Sequence, residues 1–442
     1  MDAGTRVMRL FVDVKKREVE PAFLFFLFWF FVIIVFQALR PLKKGLFVEN
    51  LGADVELYAK LANIGVAALA VVFFSFLYSR LGSRRLIPTL CVLFIAALLG
   101  FAGAIPQEGA PAPLVNWSFY LFGDLWSTVW VTTFWAYLNE LTRIEQSKRL
   151  YGMIGAGGVI GGFLANLAVW QFVEEQGTAT ILAACAVITV IVGLIMLRLE
   201  VLVRRPNAAI GREDSDLMKI EERVEGNRNP VIDGARLVFA SRYLLAIAMI
   251  MFLYEITSQI LDYQYSSAAE VAVEGSGATQ AFFAQIGTIV GVVSVIVQVF
   301  LVSFVIRKFG LKTALLVLPL AMAIASGLYL ATPILITAAF LTISDNAFNY
   351  SMNQTARETL FEPTSDDVVY KARAFINMFV QRLGKGTAIL MALALGAIPI
   401  RYLSILALVV IVVWAGFALY AGRRFDAITG DDAKRRLEKA MS

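Results

Sequence analysis

Long apolar segments separated by short polar breaks recur along the whole chain. Each segment is long enough to cross a hydrocarbon layer of about 30 Å as an α-helix. The first half contains six of them, at residues 22–47, 55–80, 85–105, 115–141, 149–173 and 178–199. The second half contains another six, at residues 238–265, 277–304, 311–331, 333–360, 370–396 and 399–421. The pattern predicts an all-α membrane protein with twelve transmembrane helices.

A polar stretch at residues 204–236 separates the two sets of six segments. It is rich in charges and poor in large apolar residues, so we interpret it as a solvated cytoplasmic linker with room for one surface helix. The predicted domains are therefore a six-helix half at 1–203, the linker, and a second six-helix half at 237–442 that ends in a cytoplasmic tail. Two halves of this kind indicate an internal repeat.

The distribution of Lys and Arg among the loops predicts the orientation in the membrane. Basic clusters fall on alternate loops, and the loops between them contain no Lys or Arg: Ala104–Trp117, Val173–Gly177, Ser266–Thr279, Ala331–Pro333 and Leu395–Pro399. Positive residues concentrate on the cytoplasmic side, so both termini are predicted to be cytoplasmic. Residues 1–20 carry mixed charges without the apolar core of a signal peptide, and we expect a cytoplasmic amphipathic lead-in there.

Composition agrees with this picture. The chain has 442 residues, of which 59% are hydrophobic and 17% charged, and its mean hydropathy is +0.72. A net charge of +5 is compatible with nucleic-acid binding, but the basic residues stand in short clusters between apolar segments, as in inner-membrane proteins. We therefore expect a multi-pass monomer in the lipid bilayer of a bacterial inner membrane, with no nucleic-acid partner.

Few residues suited to catalysis or metal binding are present. The chain contains no histidine, and Cys91 and Cys185 both lie within apolar segments, so neither a metal site nor a disulfide is expected. We find no nucleophile paired with a base and no cofactor fingerprint, which argues against an enzyme and against a bound cofactor. Any transported proton would have to be carried by carboxylates.

Two loops at equivalent places in the halves are alike. Residues 79–85 and 307–312 each combine basic residues with a glycine, and we expect a glycine turn in both. This pattern resembles the loop signature of the major facilitator superfamily, and it implies two six-helix halves of that type.

Charged residues inside the predicted helices need a partner, a cavity or a function, because each costs at least about 2.5 to 3.5 kcal/mol near the bilayer centre. In the first predicted helix Arg40, Lys43 and Lys44 follow a long apolar run, and Arg40 shares a face with both lysines. They either cap the outer end of the helix or face a cavity. Since the outer side otherwise carries almost no positive charge, we favour a cavity for at least one of them.

The fourth predicted helix carries Asp124, which needs a partner. It also carries aromatic residues at helical spacing, Trp126, Trp130, Phe134 and Tyr137. Packing within the protein and at the membrane interface is the favoured interpretation of these rings. The alternative is that Trp130 or Phe134 offers a stacking surface to a planar base.

Polar residues also share helix faces in the second half. They are Glu255 with Asp262, then Asp345, Asn346, Asn349 and Asn353, and finally Arg382 with Lys385. The asparagine-rich face fits either hydrogen bonds between helices or a cavity lining. Lys385 stands between two glycines, which favours a contact with a phosphate. We expect Lys43 and Lys385 to pair with Asp124 and Asp262 in the empty protein, so that an anionic substrate displaces these pairs and the halves rock.

Six regions carry a wider resemblance: Leu39–Leu46, Gly123–Trp126 through Phe134–Ala136, Ser147–Gly152, Ile260–Tyr265, Leu360–Pro363, and Lys371–Ala374 through Leu383–Lys385. Together they resemble the bacterial and plastid ATP/ADP translocase family, which exchanges ATP for ADP. The resemblance implies that the charged residues important for transport in that family are here Lys43, Asp124, Asp262 and Lys385. Both acids are aspartates where we expect glutamates, and Lys44 stands where an acid is usual.

The predicted substrate-binding set is completed by Arg40, Lys44, Trp130, Arg382 and Asn349. Our first hypothesis is a secondary active transporter of a nucleotide or related organic phosphate, working as an exchanger or proton symporter by alternating access. The second is a major facilitator transporter of an amphipathic or lipid-like solute. The third is a membrane sensor or assembly partner that transports nothing.

Overall fold

The computed structural model describes residues 19–441 except 108, 143, 204–229 and 365. Most of the predicted lead-in and most of the predicted linker therefore lie outside the described residues. The described residues form thirteen α-helices. They are α1 (Val19–Leu51), α2 (Ala53–Ala104), α3 (Pro113–Leu141), α4 (Ile144–Val203), α5 (Pro230–Ala240), α6 (Arg242–Ala272), α7 (Ser276–Ile296), α8 (Ser303–Ala331), α9 (Leu335–Phe348), α10 (Gln354–Leu360), α11 (Asp366–Phe375), α12 (Gln381–Ala394) and α13 (Leu403–Met441).

Three π-helical segments continue α7, α9 and α11, at Val297–Val302, Asn349–Asn353 and Ile376–Val380. Such segments are rare and frequently lie at functional sites. Within the described part of the chain, eight helical segments are long and apolar enough to span a membrane: Val19–Leu51, Ala53–Leu81, Arg85–Ala104, Leu150–Leu202, Arg242–Ala272, Gly277–Val302, Phe304–Ala331 and Ile400–Gly430. The all-α membrane architecture is thus confirmed, and the count of twelve spans stays a prediction.

The two predicted glycine turns have different outcomes. Gly310 has φ 78° and ψ 172°, so it interrupts α8 as expected for the loop 307–312. Gly177 interrupts α4 in the same way, with φ 76° and ψ 160°. Helix α2 extends over residues 79–85, and the segments on either side that could span a membrane are Ala53–Leu81 and Arg85–Ala104, so the turn predicted there stays a prediction.

The described helices form two compact units. The first comprises the described residues within Met1–Gly52, Ala62–Gly226 and Val273–Thr288. Its centre is the packing of α1 against α4 and α3. Glycines of α4 allow this close approach, since a Cβ at Gly157 would lie 2.8 Å from the Phe26 carbonyl oxygen and one at Gly161 would lie 2.6 Å from that of Phe30. Small residues at helix contacts are the usual means of close packing in membranes.

The second unit comprises the described residues within Ala53–Leu61, Asn227–Ala272 and Ile289–Ser442. Helix α6 is its centre and packs against α9, α12 and α13. Most α6 side chains are buried, including the polar residues Glu255, Ser258 and Gln264. The Gln264 amide is satisfied by the Ile400 carbonyl oxygen at 2.9 Å and by the Ser404 hydroxyl at 3.0 Å. Buried polar groups with partners of this kind fix the register between α6 and α13.

Candidate functional site

In the first unit, Lys43 and Asp124 form an ion pair between α1 and α3. The Lys43 side chain is only 8% exposed, whereas that of Asp124 is 26% exposed. Asn63 of α2 donates its amide to the second Asp124 carboxylate oxygen at 2.8 Å. The Lys43 ammonium also lies 4.5 Å from the centroid of the Tyr120 ring, a cation–π contact. Both charges predicted by the sequence therefore meet inside the helical unit.

The position of Lys43 depends on a glycine in α3. A Cβ at Gly123 would lie 2.6 Å from the Lys43 Cδ, so only glycine leaves room for the lysine stem at this crossing. Two neighbouring residues of α3 therefore position the ion pair. Gly123 leaves space for the Lys43 stem, and Asp124 supplies the negative charge. Because Asp124 is partly exposed, an entering anion could replace it as the partner of Lys43.

In the second unit, Asp262 of α6 pairs with Lys60 of α2 at 2.6 Å. Lys60 also lies 3.3 Å from the carboxylate of Glu56, one turn earlier on the same helix. The Lys60 side chain is 14% exposed and lies between these two carboxylates. The sequence pattern predicted Asp262 as a site residue, whereas Lys60 and Glu56 were not among the predicted residues.

The start of α2 is held to α6 by further polar contacts. The Tyr263 hydroxyl donates to the Asp54 carboxylate. The backbone N–H of Ala53, at the first turn of α2, donates to the Glu270 carboxylate at 2.8 Å. A carboxylate at a helix N-terminus satisfies an N–H that has no partner within the helix and interacts favourably with the helix dipole. These contacts fix the helix end that carries Lys60.

Lys385 lies on α12 and its ammonium is 3.8 Å from the carboxylate of Glu255 on α6. The Lys385 side chain is 46% exposed and that of Glu255 is 9% exposed. Gly384 allows the helices to approach, because a Cβ there would lie 2.9 Å from the Phe252 carbonyl oxygen. Of the four paired charges that we predicted, Lys43 and Asp124 therefore contact each other, whereas Lys385 pairs with Glu255 and Asp262 pairs with Lys60.

The remaining predicted residues have varied surroundings. Arg40 is exposed on α1, Lys44 is half-buried with its ammonium 5.2 Å from the Phe283 ring centroid, and Arg382 is half-buried on α12. Asn349 begins a π-helical segment and accepts a hydrogen bond from the Asn353 amide at 2.9 Å. Substrate contacts of these residues stay predictions.

Trp130 is fully buried in an aromatic cluster of the first unit. Its ring centroid lies 5.5 Å from that of Trp126, 6.1 Å from that of Phe94 and 6.4 Å from that of Phe28. Both faces of the indole are thus enclosed by protein, which agrees with the packing interpretation. Stacking of a base on Trp130 would require a different conformation of α3, and it stays a prediction.

Several solved structures with a similar arrangement of helices are transporters. The POT-family transporter PepTSo aligns with 93% of this chain and 98% of its own, with a TM-score of 0.60 at 11% identity. The nucleoside transporter NupG aligns with 94% of this chain and 99% of its own, with a TM-score of 0.56 at 15% identity. A D-xylose–proton symporter gives a TM-score of 0.54 over 92% of this chain and 96% of its own, at 16% identity. The chain therefore has the fold of the major facilitator transporters.

Sequence comparison identifies the family within that class. The family model described as TLC ATP/ADP transporter matches residues 104–425, well over half of the chain. This protein belongs to the TLC ATP/ADP transporter family, and the resemblance drawn from its motifs is confirmed.

Curated relatives cover nearly all of the chain. The ADP,ATP carrier protein 2 of Chlamydia pneumoniae is 23% identical over 506 residues, which covers 97% of this chain and 93% of the relative. The ADP,ATP carrier protein 4 of Rickettsia felis is 22% identical over 445 residues, which covers 87% of this chain and 86% of the relative.

Proposed function

We propose that this protein is a secondary active transporter that moves a nucleotide of the ATP or ADP type, or a related organic phosphate, across a bacterial inner membrane by alternating access. Both termini would be cytoplasmic. The observation that carries the proposal is the ion pair of Lys43 with the partly exposed Asp124. Family membership and the names of the curated relatives support nucleotides as the substrate class.

The pair provides a way to exchange a protein anion for a substrate anion. In the empty protein, Asp124 neutralises Lys43, so the buried ammonium is not left without a counter-charge. A phosphate group brings more negative charge than a carboxylate and can accept hydrogen bonds from several donors. When the phosphate pairs with Lys43, the Asp124 carboxylate still accepts a hydrogen bond from the Asn63 amide. Binding can thus remove one contact between helices and favour another conformation.

Lys385 offers a second cation for the phosphates. Its side chain is about half exposed, and its distance to Glu255 is long for an ion pair, so an anion can approach it at little cost. Lys60 is less suited to this role, since two carboxylates already neutralise it. We therefore propose that Lys43 and Lys385 bind the phosphates. Lys60 instead stabilises the conformation in which α2 contacts α6.

The two other hypotheses have less support. A lipid-like solute would not require cations paired with exchangeable carboxylates. A sensor without transport would not require paired charges inside transmembrane helices, because charged side chains are costly to insert into a membrane. The family assignment also favours transport over both enzymatic activity and a purely structural role.

The test is exchange by the purified full-length protein in liposomes loaded with unlabelled ADP, with labelled ATP outside. We expect saturable uptake that ADP competes for and adenosine does not. Lys43→Gln and Lys385→Gln should each weaken nucleotide affinity about 10- to 150-fold, the equivalent of one charge-assisted contact. Arg198→Gln is the control, because its ion pair with Glu20 is about half exposed. Full exchange by both lysine variants would contradict the assigned binding site. A wild-type protein that exchanges no nucleotide would contradict the proposed function.

A further inference from the structure

Asp345 of α9 is a buried carboxyl group with unusual partners. Asp345 is 5% exposed, so it lies almost entirely within the protein. One carboxylate oxygen accepts a hydrogen bond from the Tyr254 hydroxyl at 3.1 Å, and the other accepts one from the Ser258 hydroxyl. Among the described residues, no Lys or Arg forms an ion pair with it. It is thus a buried acid whose partners are neutral.

The charged groups around Asp345 do not compensate for this. Glu255 and Asp262, which act on it electrostatically from α6, are themselves acids. Helix α8, which packs against α9, has Arg307, Lys308 and Lys312 near its first turns, far along the helix from the connection to α9. The π-helical segment that follows α9 contains no acidic or basic residue and includes Asn349 and Asn353. Burying an ionised carboxylate in such a place costs free energy, and uptake of a proton removes the charge.

Hydroxyl partners are suited to both protonation states. When Asp345 is ionised, Tyr254 and Ser258 both donate to it. When it is protonated, the carboxyl O–H can donate to the Ser258 oxygen, because a hydroxyl accepts as well as donates. The carboxyl group can therefore gain or lose a proton and keep a hydrogen bond to both hydroxyls.

Tyr254 connects this carboxyl to the cations of the second unit. Its hydroxyl bonds Asp345, and the Arg357 guanidinium lies 5.8 Å from its ring centroid. The adjacent residue, Glu255, pairs with Lys385. A phosphate drawn to Lys385 would bring negative charge towards Asp345, and a proton on Asp345 would lower the repulsion. Since such linkage is reciprocal, an anion bound here favours the protonated acid, and the protonated acid favours the anion.

We propose that Asp345 is a proton-binding site and that this protein carries a proton together with its anionic substrate, in the same direction. The inference rests on the proposed function. The proton comes from water on one side of the membrane, binds a carboxylate oxygen of Asp345 and is released to water on the other side, and no other bond changes. Tyr254 and Ser258 are positioning residues, since they hold the carboxyl group in place.

The experiment uses the full-length protein in liposomes that contain a pH-sensitive dye. Two activities are measured: exchange of labelled ADP for ADP at equal pH on both sides, and net uptake of ADP into nucleotide-free liposomes driven by an inward proton gradient. We expect the wild type to perform both and to acidify the interior during net uptake. Asp345→Asn should retain exchange but lose gradient-driven uptake by about 5- to 150-fold, the usual range of coupling between linked sites. Glu20→Gln, the same change at an exposed acid, should behave as the wild type.

Two results would overturn the proposal: net uptake by the wild type that ignores the proton gradient, or gradient-driven uptake with interior acidification that persists in Asp345→Asn. If the wild type moves no nucleotide at all, the proposed function fails separately. The proton site is then judged by infrared titration of the reconstituted protein. A carbonyl band of a protonated carboxyl that is missing in Asp345→Asn supports the site, and identical spectra of the two proteins contradict it.

Discussion

Replacing Lys43 with methionine removes the ammonium and keeps most of the apolar stem. The Asp124 carboxylate would then keep only the neutral Asn63 amide among its described partners. Asp124→Asn removes the opposite charge from beside the Lys43 ammonium. If the two groups stabilise each other as the structure indicates, the double variant must be more stable than the sum of the single effects predicts.

The magnitude follows from the exposure of the two side chains. Fully exposed pairs contribute about 0.2 to 1 kcal/mol, and removal of one partner of a buried pair costs about 3 to 5 kcal/mol. The Lys43 side chain is 8% exposed and that of Asp124 is 26% exposed, so the pair lies between these cases. We expect each single change to cost about 1 to 3 kcal/mol, and a coupling energy in the same range.

The assay is thermal unfolding of the four purified proteins in one detergent, followed by tryptophan fluorescence. In a domain of 150 to 250 residues, 1 kcal/mol shifts Tm by about 2 to 4 °C, so single changes that cost about 1 to 3 kcal/mol should lower Tm by about 2 to 12 °C. The exposed pair Arg198–Glu20 is the matched control, and its cycle should give a coupling of at most about 1 kcal/mol. Strict additivity of the Lys43 and Asp124 changes would refute the pairing, whatever the size of each effect.

Three glycine positions give further predictions. Gly123→Ala should displace the Lys43 stem and weaken nucleotide binding in a titration, because the new Cβ would lie 2.6 Å from the Lys43 Cδ. Gly45→Ala should lower Tm by the equivalent of about 1 to 3 kcal/mol, since its Cβ would lie 2.7 Å from the Gln280 backbone, which cannot move as a side chain can. Gly310→Ala should cost about 1 to 2 kcal/mol of stability, measured by the same unfolding assay, because φ there is 78°.

The common control for these variants is Gly327→Ala. Gly327 lies within α8, and a Cβ there has open space around it. Alanine is the better helix former by about 0.5 to 1 kcal/mol, so this variant should be neutral or slightly more stable. Equal losses in Gly327→Ala and Gly45→Ala would contradict the packing argument.

Much of the helical architecture could be predicted from the sequence, because apolar segments of sufficient length have few alternatives in a membrane. The turn at Gly310 was also predictable from its glycine and basic neighbours. The same pattern at residues 79–85 gives a turn that stays a prediction, since a single glycine permits a turn without requiring one.

The charged residues of the site were predicted more completely than their partners. Lys43, Asp124 and Lys385 could be found because charges inside apolar segments are costly and therefore conspicuous. Glu56 and Lys60 gave the same signal, four residues apart inside the predicted segment 55–80, and sequence analysis missed it. The contacts of Lys60 with Asp262 and of Lys385 with Glu255 depend on which helix faces meet, and only the tertiary structure determines this.

The central claim, that cations of this chain bind the phosphates of a nucleotide, is tested most directly by ligand-induced stabilisation of the purified protein. A ligand at about 100 times its Kd stabilises the native state by about 2.7 kcal/mol. We predict that ATP and ADP raise Tm, that adenosine does not, and that the shift is lost in Lys43→Gln and reduced in Lys385→Gln. Stabilisation by lipids alone, with no response to any nucleotide or to phosphate, would contradict the account.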